Sequence, residues 1–161
     1  MIRKEMKPVQ ALRRLEDVCA RSEQCSYDLM KKLHGWGISH DIAEKIMARL
    51  ERDRYVDDRR FACAYCRDKF RFSRWGRMKI KKGLMLKHIS REDIDEALMT
   101  EIGDDEYYET LVTLLRGKVR QIVDARSYDG RTRLLRFAVS RGFESSVVVK
   151  VINSGVLWQE D

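Results

Sequence analysis

Cys63 and Cys66 stand three residues apart in a run that reads as helix, a spacing that puts both sulfurs on one side. With Cys19 and Cys25 they would supply four thiolates, the number a tetrahedral zinc site takes. The interval from Cys19 to Cys25 is not that of a zinc knuckle, and no Gly-rich turn bounds either pair. The four therefore read as reduced, packed thiols, and no metal is expected. Asp57 and Asp58 form a paired acid, but neighbours on a helix do not face one point, so the pair reads as a helix cap and not as a general acid and base. His34, His40 and His88 are scattered, with no His-Glu-x-x-His, no Ser-His-Asp order and no Gly-rich phosphate loop ending in Lys-Ser/Thr. No catalytic residue and no cofactor is expected.

The stretch with the most chemistry in it is SRWGRMKIKKGLMLKHIS, Ser73 to Ser90, which holds six Lys or Arg and no acid between Arg74 and Lys87. At about 100° per residue Arg74, Arg77 and Lys81 share a face, with Ile80 and Leu84 as an apolar pair placed on a different side. Lys79 and Lys82 add charge to the same segment. Such a helix can pack by one face and turn a cationic stripe toward a polyanion or an acidic partner. Lys31 and Lys32, and later Arg131, Arg133 and Arg136, are further candidates for the same surface.

Charge is distributed unevenly along the 161 residues. Residues 1–88 carry 23 bases and 12 acids, +11, whereas residues 89–161 carry 10 and 14, −4, giving the net +7. The contrast is sharpest in the middle, where 67–87 hold nine bases and one acid and 91–109 hold one base and nine acids. This dipolar layout steers a chain toward a polyanion and orients it there, so nucleic acid or a nucleoprotein surface heads the partners. No stretch approaches the roughly 20 apolar residues that cross a bilayer, and the first residues lack an apolar signal region. A cytoplasmic protein with no membrane partner is expected.

These side chains need elements to hold them, and the pattern is helical throughout. Pro8 is the one proline, and β-branched residues cluster only at 147–152, so an all-α fold is predicted. A first helix should start just after Pro8, with Val9, Leu12, Leu15, Val18 and Cys19 on one face. Ser22 or Ser26 caps a second helix carrying Leu29, Met30 and Leu33, which stops at Gly37 in the left-handed conformation. Ser39 then caps a third, with Ile42, Ile46, Met47 and Leu50 inward. The same stop, apolar residue and Ser cap recur at His88, Ile89 and Ser90, and at Gly142, Phe143 and Ser145 or Ser146. The stops lie 51 and 54 residues apart, a period that signals tandem units. Linking helices are placed at about 57–71 and 105–123. Asp57 or Asp58 caps the first, and Tyr55, Phe61, Tyr65 and Phe72 are assigned to packing, as are Trp36 and Trp75. The segment 117–130 reads as a helix end plus a loop. The units are set at 1–54, 55–103 and 104–161: three tandem three-helix repeats in an elongated, curved right-angle-turn helical array.

The run from Glu51 to Ile89 resembles the RecX family of regulators of the RecA recombinase. Tyr55, Val56, Asp57, Asp58, Phe61, Ala62, Gly76, Ile80, Leu84 and Ile89 match the family's aromatic, small apolar residue, paired acid, Phe-Ala and basic stretch. Residues 22–39 resemble its first repeat. His88 stands where the family has Gly. The resemblance implies a curved array of three-helix repeats that binds in the groove of the RecA filament on single-stranded DNA and lowers its ATPase, strand-exchange and coprotease activities; separately, a monomer is expected. A rival reading is a stand-alone DNA-binding module that uses the short-turn helix pairs as helix-turn-helix units. Against it, the helices after Ser39 and Ser90 present Asp41, Glu44, Glu92, Asp93, Asp95 and Glu96, which phosphates would repel.

Overall fold

The computed structural model describes residues 5–159, and among these the secondary structure is helical, with no strand. The helices run α1 (Pro8–Arg21), α2 (Ser26–Gly35), α3 (His40–Arg52), α4 (Asp58–Arg71), α5 (Arg77–Leu86), α6 (Arg91–Glu101), α7 (Asp104–Val119), α8 (Tyr128–Ser140) and α9 (Ser145–Asn153), followed by a short 3-10 turn at Val156–Trp158. Pro8 occupies the first helical turn, where its missing N–H costs nothing. The β-branched run at 147–152 is helical as well, since Val148, Val151 and Ile152 are buried and their packing outweighs weak propensity. The segment 117–130 resolves into the end of α7, a turn, and α8 capped by the Ser127 hydroxyl, which accepts from the Gly130 N–H at 3.0 Å.

The three stops predicted from the repeat share one hydrogen-bond pattern. Gly37, His88 and Gly142 have φ of 80, 58 and 97°. In each, the next residue's N–H reaches back to a carbonyl five residues earlier: Ile38 to Leu33, Ile89 to Leu84 and Phe143 to Ala138, at 3.1–3.2 Å. Arg54 and Arg74 adopt φ of 60 and 54° at two further helix ends, which the sequence conceals because the left-handed residue is an arginine. At His88 the strain is offset by a ring stack on Tyr27, with centroids 4.1 Å apart. Substituting His88 with Gly relieves about 1 kcal/mol of left-handed strain while losing a stack of similar size, so stability stays near the parent's. His88→Ala keeps the strain and loses the stack, and chemical denaturation should show it about 1 kcal/mol less stable than the glycine variant.

The buried apolar side chains form two clusters. The first is built by α1–α3 around Leu15, Leu29, Leu33, Ile46 and Leu50; the second runs from Phe61 to Leu157 and includes Cys25. The rings of Phe70, Tyr107 and Phe143 follow one another through the second cluster at centroid distances of 5.9 and 5.0 Å. The accessible surface is 10946 Å². A compact protein of this mass exposes about 8,400 Å², so the array is extended.

Several positions differ from the sequence reading. Val9 is 61% exposed because α1 packs through Ala11 and Leu15, and Ile42 is 38% exposed because Ala43 takes its inward place. Tyr55, assigned to packing, lies at the surface, and Val56 is buried instead. Phe72 is 83% exposed, since α4 has ended and Phe70 is the inward ring. The N-cap of α2 is Cys25 and that of α9 is Glu144, one residue before Ser26 and Ser145, and neither Ser22 nor Ser146 takes the position.

The paired acid divides its labour. The Asp57 carboxylate accepts from the Arg60 N–H at 3.1 Å, capping its own helix α4. Asp58 instead accepts from the backbone N–H of Ser26 at 2.7 Å and from its hydroxyl at 3.0 Å, capping α2 from another helix. That bond ties the first cluster to the second, beside the ion pairs Arg60–Glu23 at 2.7 Å and Lys87–Asp28 at 2.5 Å.

Candidate polyanion-binding cleft

Helix α5 positions the basic residues, and it has no capping side chain of its own. Its first N–H groups are satisfied by other segments. Gly76 N–H donates to the Arg141 carbonyl at 2.8 Å, Met78 N–H to the Gly142 carbonyl at 2.9 Å, and Arg77 N–H to the Tyr107 hydroxyl at 3.1 Å. The close approach demands glycine on both sides, since a Cβ on Gly76 would meet Gly142 C at 2.3 Å and one on Gly142 would meet Lys79 Cβ at 2.3 Å.

Arg77 is consumed in this joint. Its guanidinium lies 3.9 Å from the Tyr107 ring centroid and pairs with Asp104 at 2.7 Å and Glu144 at 3.3 Å. The Tyr107 hydroxyl donates to Glu144, and burial, reinforced by that carboxylate, pushes its acidity far above the ordinary tyrosine value. Arg74 precedes α5 in a left-handed turn and borders a hollow with Glu106 and Glu109, and Lys81 lies in another with Met85 and Arg91. The predicted Arg74, Arg77 and Lys81 stripe therefore does not exist as one surface. Seven positions at about 100° bring Leu84 to within about 20° of Arg77, so the supposed stripe overlapped the packing face.

A different set converges. Lys31 of α2, Lys79 and Lys82 of α5, and Lys87 line a cleft of about 800 Å³. Tyr27, Tyr65, Trp75, Met78, Leu86 and Val139 help to complete its walls, so α2, α4, α5 and α8 all contribute. Four lysines face one acid, Asp28, leaving a lining charge of +3. Asp28 is held by Lys87: burial raises its carboxyl, but the bonds from Lys87 and Cys25 outweigh this and leave it below the ordinary aspartate value. The same carboxylate raises Lys87 above the usual lysine range.

A lowered Asp28 and a raised Lys87 set the sign of a pH effect. The pair is fully formed above the usual aspartate pKa of about 3.9 and is lost as acid protonates Asp28 below it; at the other end it persists to about 10.4 and is lost as pH rises through the raised lysine value. The stability difference between the parent and Asp28→Asn is thus expected to be constant from about pH 5 to 9 and to shrink below about pH 4, checked by denaturant titration at each pH.

Of the other predicted residues, Lys32, Arg131, Arg133 and Arg136 are exposed but do not line the cleft, and Gly37 serves the α2 stop. Asp104, Tyr107 and Glu144, which hold Arg77, carry no mark in the sequence, and Tyr65, assigned there to packing, also lines the cleft. Burial pushes the Cys25 thiol up to about 11 and Cys66 to about 12, so both carry their protons. Among the described residues no His, Cys, Asp and Glu gather in a metal-holding group of three or more, and no helix is long and apolar enough to cross a membrane.

The molecule is thus a helical-repeat protein in which α5 meets the α8–α9 turn through backbone hydrogen bonds and in which one cleft is lined by four lysines. A family model described as RecX, second three-helix domain, matches residues 57–98, which span α4, α5 and most of α6. Regulatory protein RecX of Neisseria meningitidis serogroup A is 27% identical over 159 residues, covering 97% of both chains. That of Geobacillus sp. strain WCH70 is 29% identical over 134 residues, and that of Clostridium tetani 30% over 137. The chain spans 48% and 60% of the length of these last two. Two solved structures share the fold: a regulatory protein RecX at TM-score 0.79 and 23% identity, covering 91% of this chain and 71% of that one, and RecX from Lactobacillus salivarius at 0.81 and 20%, covering 91% and 95%. The chain belongs to the RecX family.

Proposed function

We propose that this chain is a non-enzymatic regulator that binds the RecA filament on single-stranded DNA and lowers its ATPase, strand-exchange and coprotease activities. On this reading it acts in the cytoplasm as a monomer, with units 1–54, 55–103 and 104–161 laid along the filament groove. Family membership supports the role, and the observation that carries the mode of binding is the lysine cleft, where, among the described residues, one carboxylate, Asp28, stands against four lysines. Extended shape suits a long partner, because a repeat array meets its target over many units.

The rival DNA-reading module is less well supported, since Asp41, Glu44, Glu92 and Asp95 on the would-be reading helices α3 and α6 are exposed and would repel phosphates. The test is the single-stranded-DNA-dependent ATPase of the cognate recombinase, titrated with this protein at fixed salt. A fall at less than one protein per recombinase is expected; an unchanged rate alongside tight DNA binding would favour the DNA-binding module.

A further inference from the structure

We propose that the cleft grips the sugar–phosphate backbone of single-stranded nucleic acid through its lysines alone and stacks no base on its aromatic rings; this deepens the polyanion-directed reading above and rests on it.

Of the four cleft lysines, Lys87 is paired with Asp28, whereas Lys31, Lys79 and Lys82 have no carboxylate within ion-pair distance among the described residues. An aromatic-lined basic groove would ordinarily suggest bases stacked on rings. Here the rings are already engaged. The ammonium groups of Lys69 and Lys79 lie 4.7 and 4.5 Å from the Trp75 centroid. Tyr27 is stacked on His88 at 4.1 Å and has the Lys31 ammonium 5.3 Å from its centroid. Tyr65 has Lys69 at 5.5 Å and packs so closely on α5 that a Cβ on Gly83 would meet its hydroxyl at 2.1 Å. The rings hold cations in place by their negative faces, which leaves the ammonium groups as the ligand-directed atoms.

The type of cation also discriminates between anions. This chain meets its own carboxylates largely with arginine, as in Arg59–Glu96, Arg60–Glu23, Arg67–Glu101 and Arg77–Glu144. The cleft has lysines and no arginine among its lining residues. Point-charge ammonium groups spaced along a groove suit successive phosphates, whereas a planar carboxylate is matched better by the guanidinium fork. Exposed Met78, Leu86 and Val139 between them offer apolar contact to sugar rings.

The experiment compares a fluorescent oligothymidylate with an abasic oligomer of the same length, binding to the protein alone over a salt series followed by anisotropy. Lys31→Ala with Lys82→Ala serves as the variant, both positions being exposed and in no ion pair among the described residues. The slope of log affinity against log salt is expected to flatten by about 1.4 in the double variant, about 0.7 per lost phosphate contact on a single strand, with far-UV circular dichroism unchanged. The abasic oligomer should bind the parent within about twofold of oligothymidylate, where even one stacked base would weaken it at least about fivefold. An unchanged slope, an abasic oligomer at least about fivefold weaker, or displacement of the oligomer by polyglutamate at equal charge each overturns the proposal; the last would make the occupant an acidic peptide. Recombinase ATPase assayed in parallel separates the two readings. A variant with unchanged slope that still lowers the ATPase removes the cleft and leaves the regulator. A slope that flattens in a chain without effect on the ATPase supports the cleft and removes the regulator.

Discussion

Gly142→Ala is expected to cost about 3 kcal/mol and to lower the unfolding midpoint by roughly 6–12 °C. Two costs add at this residue. Its φ of +97° is one that a side chain adopts with strain, and its Cβ would lie 2.3 Å from Lys79 Cβ, 2.7 Å from Lys79 N and 3.0 Å from the Gly76 carbonyl oxygen. Most of these are backbone atoms, which cannot swing aside as a long side chain can. To escape the clash, α5 must retreat from the α8–α9 turn, and Gly76 N–H and Met78 N–H then lose the carbonyls that accept from them. Gly37→Ala is the control. It has a φ of +80° but nothing within 4 Å of the added carbon, so only the left-handed penalty of about 1 kcal/mol applies. Equal midpoints for the two variants, measured by circular dichroism, would show that the close approach of α5 and the turn carries no energy.

Arg77→Glu is the second large effect, and it is an effect on folding. The side chain is 25% exposed and sits between Asp104 and Glu144 over the Tyr107 ring, so a carboxylate there meets two others and leaves Glu144 without its cation. A loss of about 2–3 kcal/mol is expected, below the range for a fully buried pair because solvent screens part of the repulsion. Lys82→Glu on the opposite side of the same helix should leave stability within about 0.5 kcal/mol while weakening polyanion binding. Denaturant titration of both variants checks the contrast. If the two unfold together, Arg77 is a surface cation after all, and the joint between α5, α7 and α9 lacks the weight assigned to it.

The contrast between these two residues shows which parts of the site could be read along the chain. Met78, Lys79, Lys82, Gly83 and Leu86 follow the i, i+1, i+4, i+5, i+8 rhythm of one helical face, so the half of the cleft that α5 provides was present in the periodicity. Arg74, Arg77 and Lys81 also looked coherent, but Arg74 lies outside the helix and Arg77 beside the packing face. Nothing local marks Tyr107 or Glu144 as partners of Arg77, because they are 30 and more residues away and come together only when α7 and α9 pack. Lys31 reaches the cleft in the same way, from a helix whose own sequence shows no more than a pair of exposed lysines.

By itself the sequence determined that this protein is all-helical, where three of its helices stop at Gly37, His88 and Gly142, that its middle carries a large excess of positive charge, and which family it resembles. These are local properties: helix periodicity, left-handed stop residues and capping side chains act over a few residues, and charge excess is a sum. Only the tertiary structure decided which of the cations are consumed and which are presented. Asp58 caps a helix it is not part of, Arg77 closes a joint, and Lys31, Lys79 and Lys82 stand together with no ion-paired carboxylate among the described residues. The physical reason is that a charge's role depends on what lies within a few ångströms of it. Here those neighbours come from other helices, 30 to 67 residues away along the chain.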